Sequence, residues 1–211
     1  MRMDLQTRCT AFAGNRRVAS GALAEVARTA KAVIDAGEAE PILIFDDATS
    51  EQLEVDLRGT VDDVRHRLTQ AGRSQAAPAA ETPRGPGRPK LGVVAREVTL
   101  LPRHWEWLNA QPGGASVALR KLVDAARRTN EGSDRLRQSR EAAHRFMSVM
   151  AGNLPGFEEA TRALFGGHRE RFDQLIESWP ADVRRHARTL TADAFPNASA
   201  MQEPGVALFK S

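Results

Sequence analysis

Cysteine is almost absent: Cys9 is the only one in 211 residues. A lone thiol forms no intramolecular disulfide and leaves a cysteine-ligated zinc site without its ligands. Long apolar runs are missing too, and no stretch approaches the roughly 20 residues that span a bilayer. The opening MRMDLQTR lacks the roughly 7–15-residue apolar core of a signal peptide. No membrane partner is expected, and the expected compartment is the cytoplasm. Lysine is scarce, occurring only as Lys31, Lys90, Lys121 and Lys210, so arginine carries nearly all the positive charge. The formal net charge is a mere +3, which by itself indicates no polyanionic partner. What remains is an ordinary globular composition, 41% hydrophobic and 27% charged. The length suits one large domain or two small ones joined by a linker.

The small net charge hides an uneven distribution. Residues 1–72 carry a net −3, residues 73–136 a net +5 and residues 137–211 a net +1. The basic excess begins where the composition turns to linker, GRSQAAPAAETPRGPGRP from Gly72 to Pro89. Such a stretch has too little apolar surface to offset its ordering entropy, and its prolines favour extended backbone. The expected organisation is a small α+β domain over 8–71 and a basic linker over 72–90. A strand–helix–helix unit over 91–130, a helical region over 137–195 and a loose tail over 196–211 follow.

The N-terminal part reads as ββαββα. Thr10–Ser20 has short apolar stretches around Gly14-Asn15, a hairpin turn signal. Leu23, Val26, Ala27, Ala30, Val33 and Ile34 have helical spacing, and Gly37 stands at the C-cap position. Pro41–Phe45 reads as a buried strand. In QLEVDL, Leu53, Val55 and Leu57 alternate with polar residues, which predicts a half-buried strand. Thr60 and Asp63 resemble a capping box before a helix carrying Val61, Val64 and Leu68. In the C-terminal third, helices are expected over Ser139–Ala151, Phe157–Phe165, Arg169–Ser178 and from Pro180 to about Ala194.

The basic excess is concentrated in residues 84–128, whose local net charge is +6. Two features lie there. Gly87-Arg88-Pro89-Lys90, with Arg84 upstream, resembles the AT-hook core, in which an extended arginine enters the narrow minor groove of A·T-rich DNA. Pro86 stands where that core has its first arginine. The alternative is a solvated basic linker. The second feature is an extended run, Val93–Leu101, followed by Pro102 at a helix start. Leu101, Trp105 and Leu108 form the stripe of that helix, with Trp105 assigned to packing, and Pro112-Gly113-Gly114 ends it. Ser116 is a suitable N-cap for the next helix, which carries Leu119, Leu122, Val123 and Ala126 on one face.

This order of elements is similar to the ribbon-helix-helix DNA-binding fold, whose members dimerise by pairing their strands into a ribbon that enters the major groove. The resemblance implies a homodimer with DNA as partner. It puts either Arg96, Val98 and Leu100 or Glu97 and Thr99 toward the bases, depending on strand register. The N-terminal end of the second helix, at Ser116, would face a phosphate, with Arg103, Arg120 and Lys121 on the DNA backbone. A plain helical hairpin with a basic surface is the competing reading.

Catalytic signals are sparse. His66, His104, His144, His168 and His186 have no metal-ligand spacing, and His168 and His186 are expected on solvated helix surfaces. Asp46, Asp47 and Glu51 read as a hairpin turn, and Cys9 as a small buried hydrophobe. Gly85 to Lys90 is not a phosphate-binding loop, and no GxSxG elbow occurs. No enzyme activity, metal or cofactor is expected.

Four long phrases extend the comparison across the chain: CTAFAGNRRVASG, ILIFDDATSEQLEVDLRGT, GRPKLGVVAREVTLLPRHWEWLNAQPGGASVALRKLVDAARR and AAHRFMSVMAGNLPGFEEATRALFGG. Together they resemble a bacterial family defined as domain of unknown function 2239, over about 8–195. That resemblance implies a cytoplasmic bacterial protein and assigns no activity or site residue. The leading expectation is a DNA-binding protein acting as a dimeric transcriptional regulator. The alternative is a protein-interaction module with a solvated basic linker.

Overall fold

A computed structural model describes residues 5–75, 94 and 96–195. They fall into two compact units, 5–75 with 134–195, and 94 with 96–133.

The first unit is built on a three-stranded antiparallel sheet. β1 (Arg8–Ala13) and β2 (Arg16–Ala22) form the hairpin, turning at Gly14, whose φ of +50° suits glycine. β3 (Ile42–Asp46) pairs antiparallel with the other edge of β1, so the order is β2-β1-β3. Alternation along β1 divides its side chains between two cores. Cys9 and Ala11 pack with Ile44 against Leu23, Val26, Ala27, Val64 and Leu68. Those partners belong to α1 (Leu23–Asp35) and α2 (Val61–Gln75). Phe12 and Phe45 enter the second core, where Phe146, Phe172, Ile176, Trp179 and Val183 meet them. Burial of β1 on both faces explains why its sequence, RCTAFA, does not alternate apolar with polar residues.

The helices follow the sequence signals with three differences. Gly37, at φ +95°, ends α1 and donates its N–H to the Ile34 carbonyl at 3.0 Å. The capping box is present: Thr60 N–H donates to Asp63 Oδ2 at 2.8 Å, and Asp63 N–H to Thr60 Oγ1 at 3.2 Å. α2 then runs to Gln75, into the segment read as linker. The remainder of that linker and the tail lie outside the described residues.

The first difference is the expected fourth strand. Gln52 makes one isolated bridge to Phe45, and Leu53 N–H donates to the Ile44 carbonyl at 2.8 Å. Beyond Leu53 the chain leaves β3 and forms no ladder. The alternation still has its burial meaning, with Leu53 buried, Val55 and Leu57 half-buried, and Gln52, Glu54 and Asp56 exposed. Packing against α2 and α1 satisfies the pattern without strand pairing.

The second concerns the helices after the linker. α3 (Pro102–Asn109) is followed by α4 (Gly114–Met150), a single 37-residue helix. The helix expected to begin at Ser116 continues without a break into the one expected at Ser139. Asn130 and Gly132, helix-weakening residues, are carried by good helix formers on both sides. The helix also starts before Ser116, which lies in its first turn and not at the cap.

α5 (Phe157–Gly166), α6 (Arg169–Leu175) and α7 (Ala181–Leu190) complete the first unit. α7 stops at Leu190, short of Ala194, yet Ala194 and Phe195 are buried in the turn that follows. The third difference is His186, expected on a solvated surface. It is 5% exposed, because it shares the inward face of α7 with Val183, Ala187 and Leu190. No described helix is long and apolar enough to cross a membrane.

Candidate nucleic-acid interface

Arg84, Arg88 and Lys90, with the Gly-Arg-Pro core, lie outside the described residues. The remaining residues of the proposed surface belong to the second unit. Residues 96–101 form neither helix nor strand, and Arg96, Glu97, Val98 and Thr99 are all exposed. Neither alternating set is buried within the chain. Leu101 caps α3 with extended backbone, φ −67° and ψ 150°, and Pro102 occupies the first turn. A missing proline N–H costs nothing there, since that donor has no intrahelical acceptor. Arg103 follows, exposed on the same turn.

Gly113 and Gly114, at φ +89° and +74°, turn the chain into α4. Glycine is required at Gly113, where a Cβ would come within 3.1 Å of Val117 Cβ besides adopting a left-handed backbone. On α4, Arg120 and Lys121 are exposed, and so are Arg127 and Arg128 two turns on. A seven-residue spacing returns to the same helix face after about 10.5 Å. Four cations therefore make one stripe, and Arg127 and Arg128 extend it beyond the pair singled out from sequence. Their signal was the repeat of adjacent basic residues seven positions apart. The Nε of Arg120 donates to the Ser116 carbonyl at 3.2 Å, which holds that side chain along the first turn.

Ion pairs are common in the first unit, although exposed Arg8, Arg17 and Arg171 there have no carboxylate partner among the described residues. In the first unit Arg16 pairs with Glu38, Arg28 with Glu25, Arg58 with Asp56, and Arg65 with Asp62. Arg184 pairs with Glu177, Arg185 with Asp182, and Arg188 with both Asp173 and Glu177. Arg96, Arg103, Arg120, Lys121, Arg127 and Arg128 have no carboxylate partner among the described residues. Glu97, Glu106 and Asp124 are close in sequence but take no part in ion pairs there. Among the described residues, the second unit thus presents these cations outside any ion pair.

The apolar positions of this unit are largely uncovered. Leu108 and Ala118 are buried, while Trp107 is 53%, Leu122 48% and Val123 54% exposed. Trp105, assigned to helix packing from the sequence, is more than a third exposed.

Elsewhere the titratable groups serve the fold. Burial, reinforced by Asp47 and Asp46, pushes the Cys9 thiol up to about 12, so it is no nucleophile at neutral pH. Thr10 Oγ1 lies 2.7 Å from Asp47 Oδ1 and 3.1 Å from Ser20 Oγ, a satisfied polar cluster at the sheet. Asp46 Oδ1 accepts the Ala48 and Thr49 N–H groups, each at 2.8 Å, which makes the expected turn. A groove of about 530 Å³ runs between β3 and residues 52–58, lined by Ile42, Ile44, Leu53, Val55 and Leu57. The Asp56–Arg58 ion pair is at its end. Among the described residues no three His, Cys, Asp or Glu side chains converge as metal ligands.

No curated protein matches the chain, and no solved structure does. A family model, described as an uncharacterized protein conserved in bacteria, matches residues 8–191. That span takes in the sheet, the α3–α4 segment and the C-terminal helices, and the chain belongs to this bacterial family, domain of unknown function 2239.

Proposed function

We propose that the protein binds DNA through its basic segment. Arg120, Lys121, Arg127, Arg128 and Arg103 would contact phosphates, with Arg96 and Thr99 nearer the bases. Arg84, Arg88 and Lys90 would follow the minor groove or the backbone. The observation that carries this reading is the set of exposed, unpaired cations on α3 and α4. Four of them, Arg120, Lys121, Arg127 and Arg128, share one helix face, whereas many first-unit arginines are held in ion pairs. Unpaired cations gain most from a polyanion, because binding releases counterions and no internal pair is broken. Pairing of Val93–Leu101 with its copy would set two such surfaces side by side, as in a dimeric transcriptional regulator. With DNA as ligand, the working compartment is the cytoplasm.

A protein-interaction module is the second reading, favoured by the exposure of Trp105 and Trp107. Salt dependence separates the two. For DNA, the logarithm of affinity falls linearly with the logarithm of salt, with a slope of about −0.9 per phosphate contact. Fluorescence anisotropy with a labelled duplex across salt concentrations measures it, and Arg88→Ala with Lys90→Ala should flatten the slope. Absence of binding at low ionic strength overturns the DNA reading.

A further inference from the structure

The N-terminal half of α4 carries a division of residue types that the DNA reading does not use. Between 118 and 133 six side chains are charged: Arg120, Lys121, Asp124, Arg127, Arg128 and Glu131. With Leu119 and Ala126 numbered as heptad position a, all six fall at b, c and f. Every residue at a, d, e and g is uncharged. Leu119, Leu122 and Ala126 repeat at the three-then-four spacing of a helix seam, and Val123 widens it. One half of the helix surface is thus charged and the other half is not.

Among the described residues, nothing buries the uncharged half between 121 and 133. Leu122 and Val123 are about half-exposed, and every residue from 121 to 133 is exposed. In proteins most helical stability comes from packing one face of the helix. Among the described residues of this unit the buried hydrophobic ones are Leu108 and Ala118, too few to hold a helix pair.

We infer that this face of α4 is a self-association surface, and that its occupant is the same face of a second copy of the chain. The inference concerns helix packing and stands whether or not DNA is the ligand. Three considerations select a second copy. The seam positions e and g, which select a heterotypic helix by charge, hold Val123, Ala125, Asn130 and Gly132. The partner face must then be uncharged, and the identical face is. The charges lie off the seam, so two copies approach without setting like charges against each other. Seven large apolar side chains between 94 and 123 are at least a third exposed. Two of them, Leu122 and Val123, lie on the seam, and a two-fold contact covers both in each copy.

Sedimentation of the full chain over a range of protein concentrations tests this. The expected result is a reversible dimer of twice the chain mass. Leu122→Asp with Val123→Asp should raise its dissociation constant by about 100-fold or more, because two carboxylates would be buried unpaired. Both positions are exposed in the chain, so the first unit should keep its own thermal transition. Arg127→Ala with Arg128→Ala should leave the mass unchanged. A wild-type monomer at every concentration, with the face then free or covered from within the chain, overturns the inference. So does a dimer that survives Leu122→Asp with Val123→Asp. A dimer without DNA affinity leaves this inference intact and removes the DNA reading; DNA binding by a monomer does the reverse.

Discussion

The imidazole of His186 lies 4.5 Å from the ring of Phe146, centroid to centroid, with the planes at 61°. Phe12 is 5.4 Å from the same imidazole on the sheet side. The histidine is buried and its Nε2 has no hydrogen-bond partner among the described residues. Burial lowers its pKa; the carboxylate of Asp47 opposes that shift, and Arg17 adds to it. A depressed folded-state pKa means that the unfolded chain takes up a proton the native state refuses. Stability from this group is complete above the unfolded value, near 6.5, and is lost as pH falls below it. The slope is up to about 1.4 kcal/mol per pH unit, until the buried ring itself titrates. Urea midpoints measured between pH 7 and pH 5 should fall more steeply for the wild type than for His186→Phe. Equal slopes would show that the ring does not titrate with unfolding.

The same aromatic cluster joins the sheet to the C-terminal helices. Phe146 is 5.4 Å from Phe12 and 5.3 Å from Phe45, and all three are fully buried. Truncating it opens a cavity between the strands and α4 that rigid neighbours cannot fill. Phe146→Ala should cost about 3–5 kcal/mol. Trp179 is buried in that core, so its fluorescence should change together with far-ultraviolet circular dichroism. Separate transitions for the two signals would mean that the sheet and the helices unfold independently.

Periodicity made much of this architecture readable, and its failures have particular causes. The hairpin at Gly14-Asn15, the cap at Gly37 and the box at Thr60 and Asp63 are local signals, decided by residues within a few positions. QLEVDL was misread because alternation reports which side chains are buried, not whether the backbone finds a ladder partner. His186 was misread because residue type outweighed position: polar histidine was placed in solvent although its neighbours at i−3 and i+4, Val183 and Leu190, marked an inward face. The shared core could not be read from sequence. Nothing local in CTAFAG says that Phe12 will meet Phe146. For the candidate interface, Arg103, Arg120 and Lys121 were legible as basic residues on helices. Their lack of carboxylate partners was not, since Asp124 lies within helical reach of Arg120, Arg127 and Arg128 in the sequence.

The continuity of α4 gives a third prediction. Gly132 is inside the helix, and a Cβ built on it would meet nothing within 4 Å. No close approach requires glycine there, so its backbone freedom in the unfolded chain is a pure cost. Gly132→Ala should stabilise the helix by about 0.5–1 kcal/mol. Helical circular dichroism on heating should show the gain. A loop at 130–136 would instead leave Gly132→Ala without effect.

The fourth prediction compares two removals of equal charge. Arg127→Ala with Arg128→Ala deletes two cations that have no carboxylate partner among the described residues. Arg184→Ala with Arg188→Ala also deletes two, but these are held by Glu177 and Asp173 at 2.9–3.0 Å. A cation already paired within the protein releases few counterions from DNA, because its field is largely cancelled before contact. A free one exchanges condensed ions for itself. The slope of log affinity against log salt should therefore fall by roughly 1.8 for Arg127→Ala with Arg128→Ala, two contacts at about 0.9 each. It should hardly change for Arg184→Ala with Arg188→Ala, although the net charge is then the same. Equal losses would mean that DNA responds to total charge alone, and the stripe on α4 would have no special part in binding. A loss confined to Arg127→Ala with Arg128→Ala would assign the contact to the one helix face where cations are concentrated and unpaired.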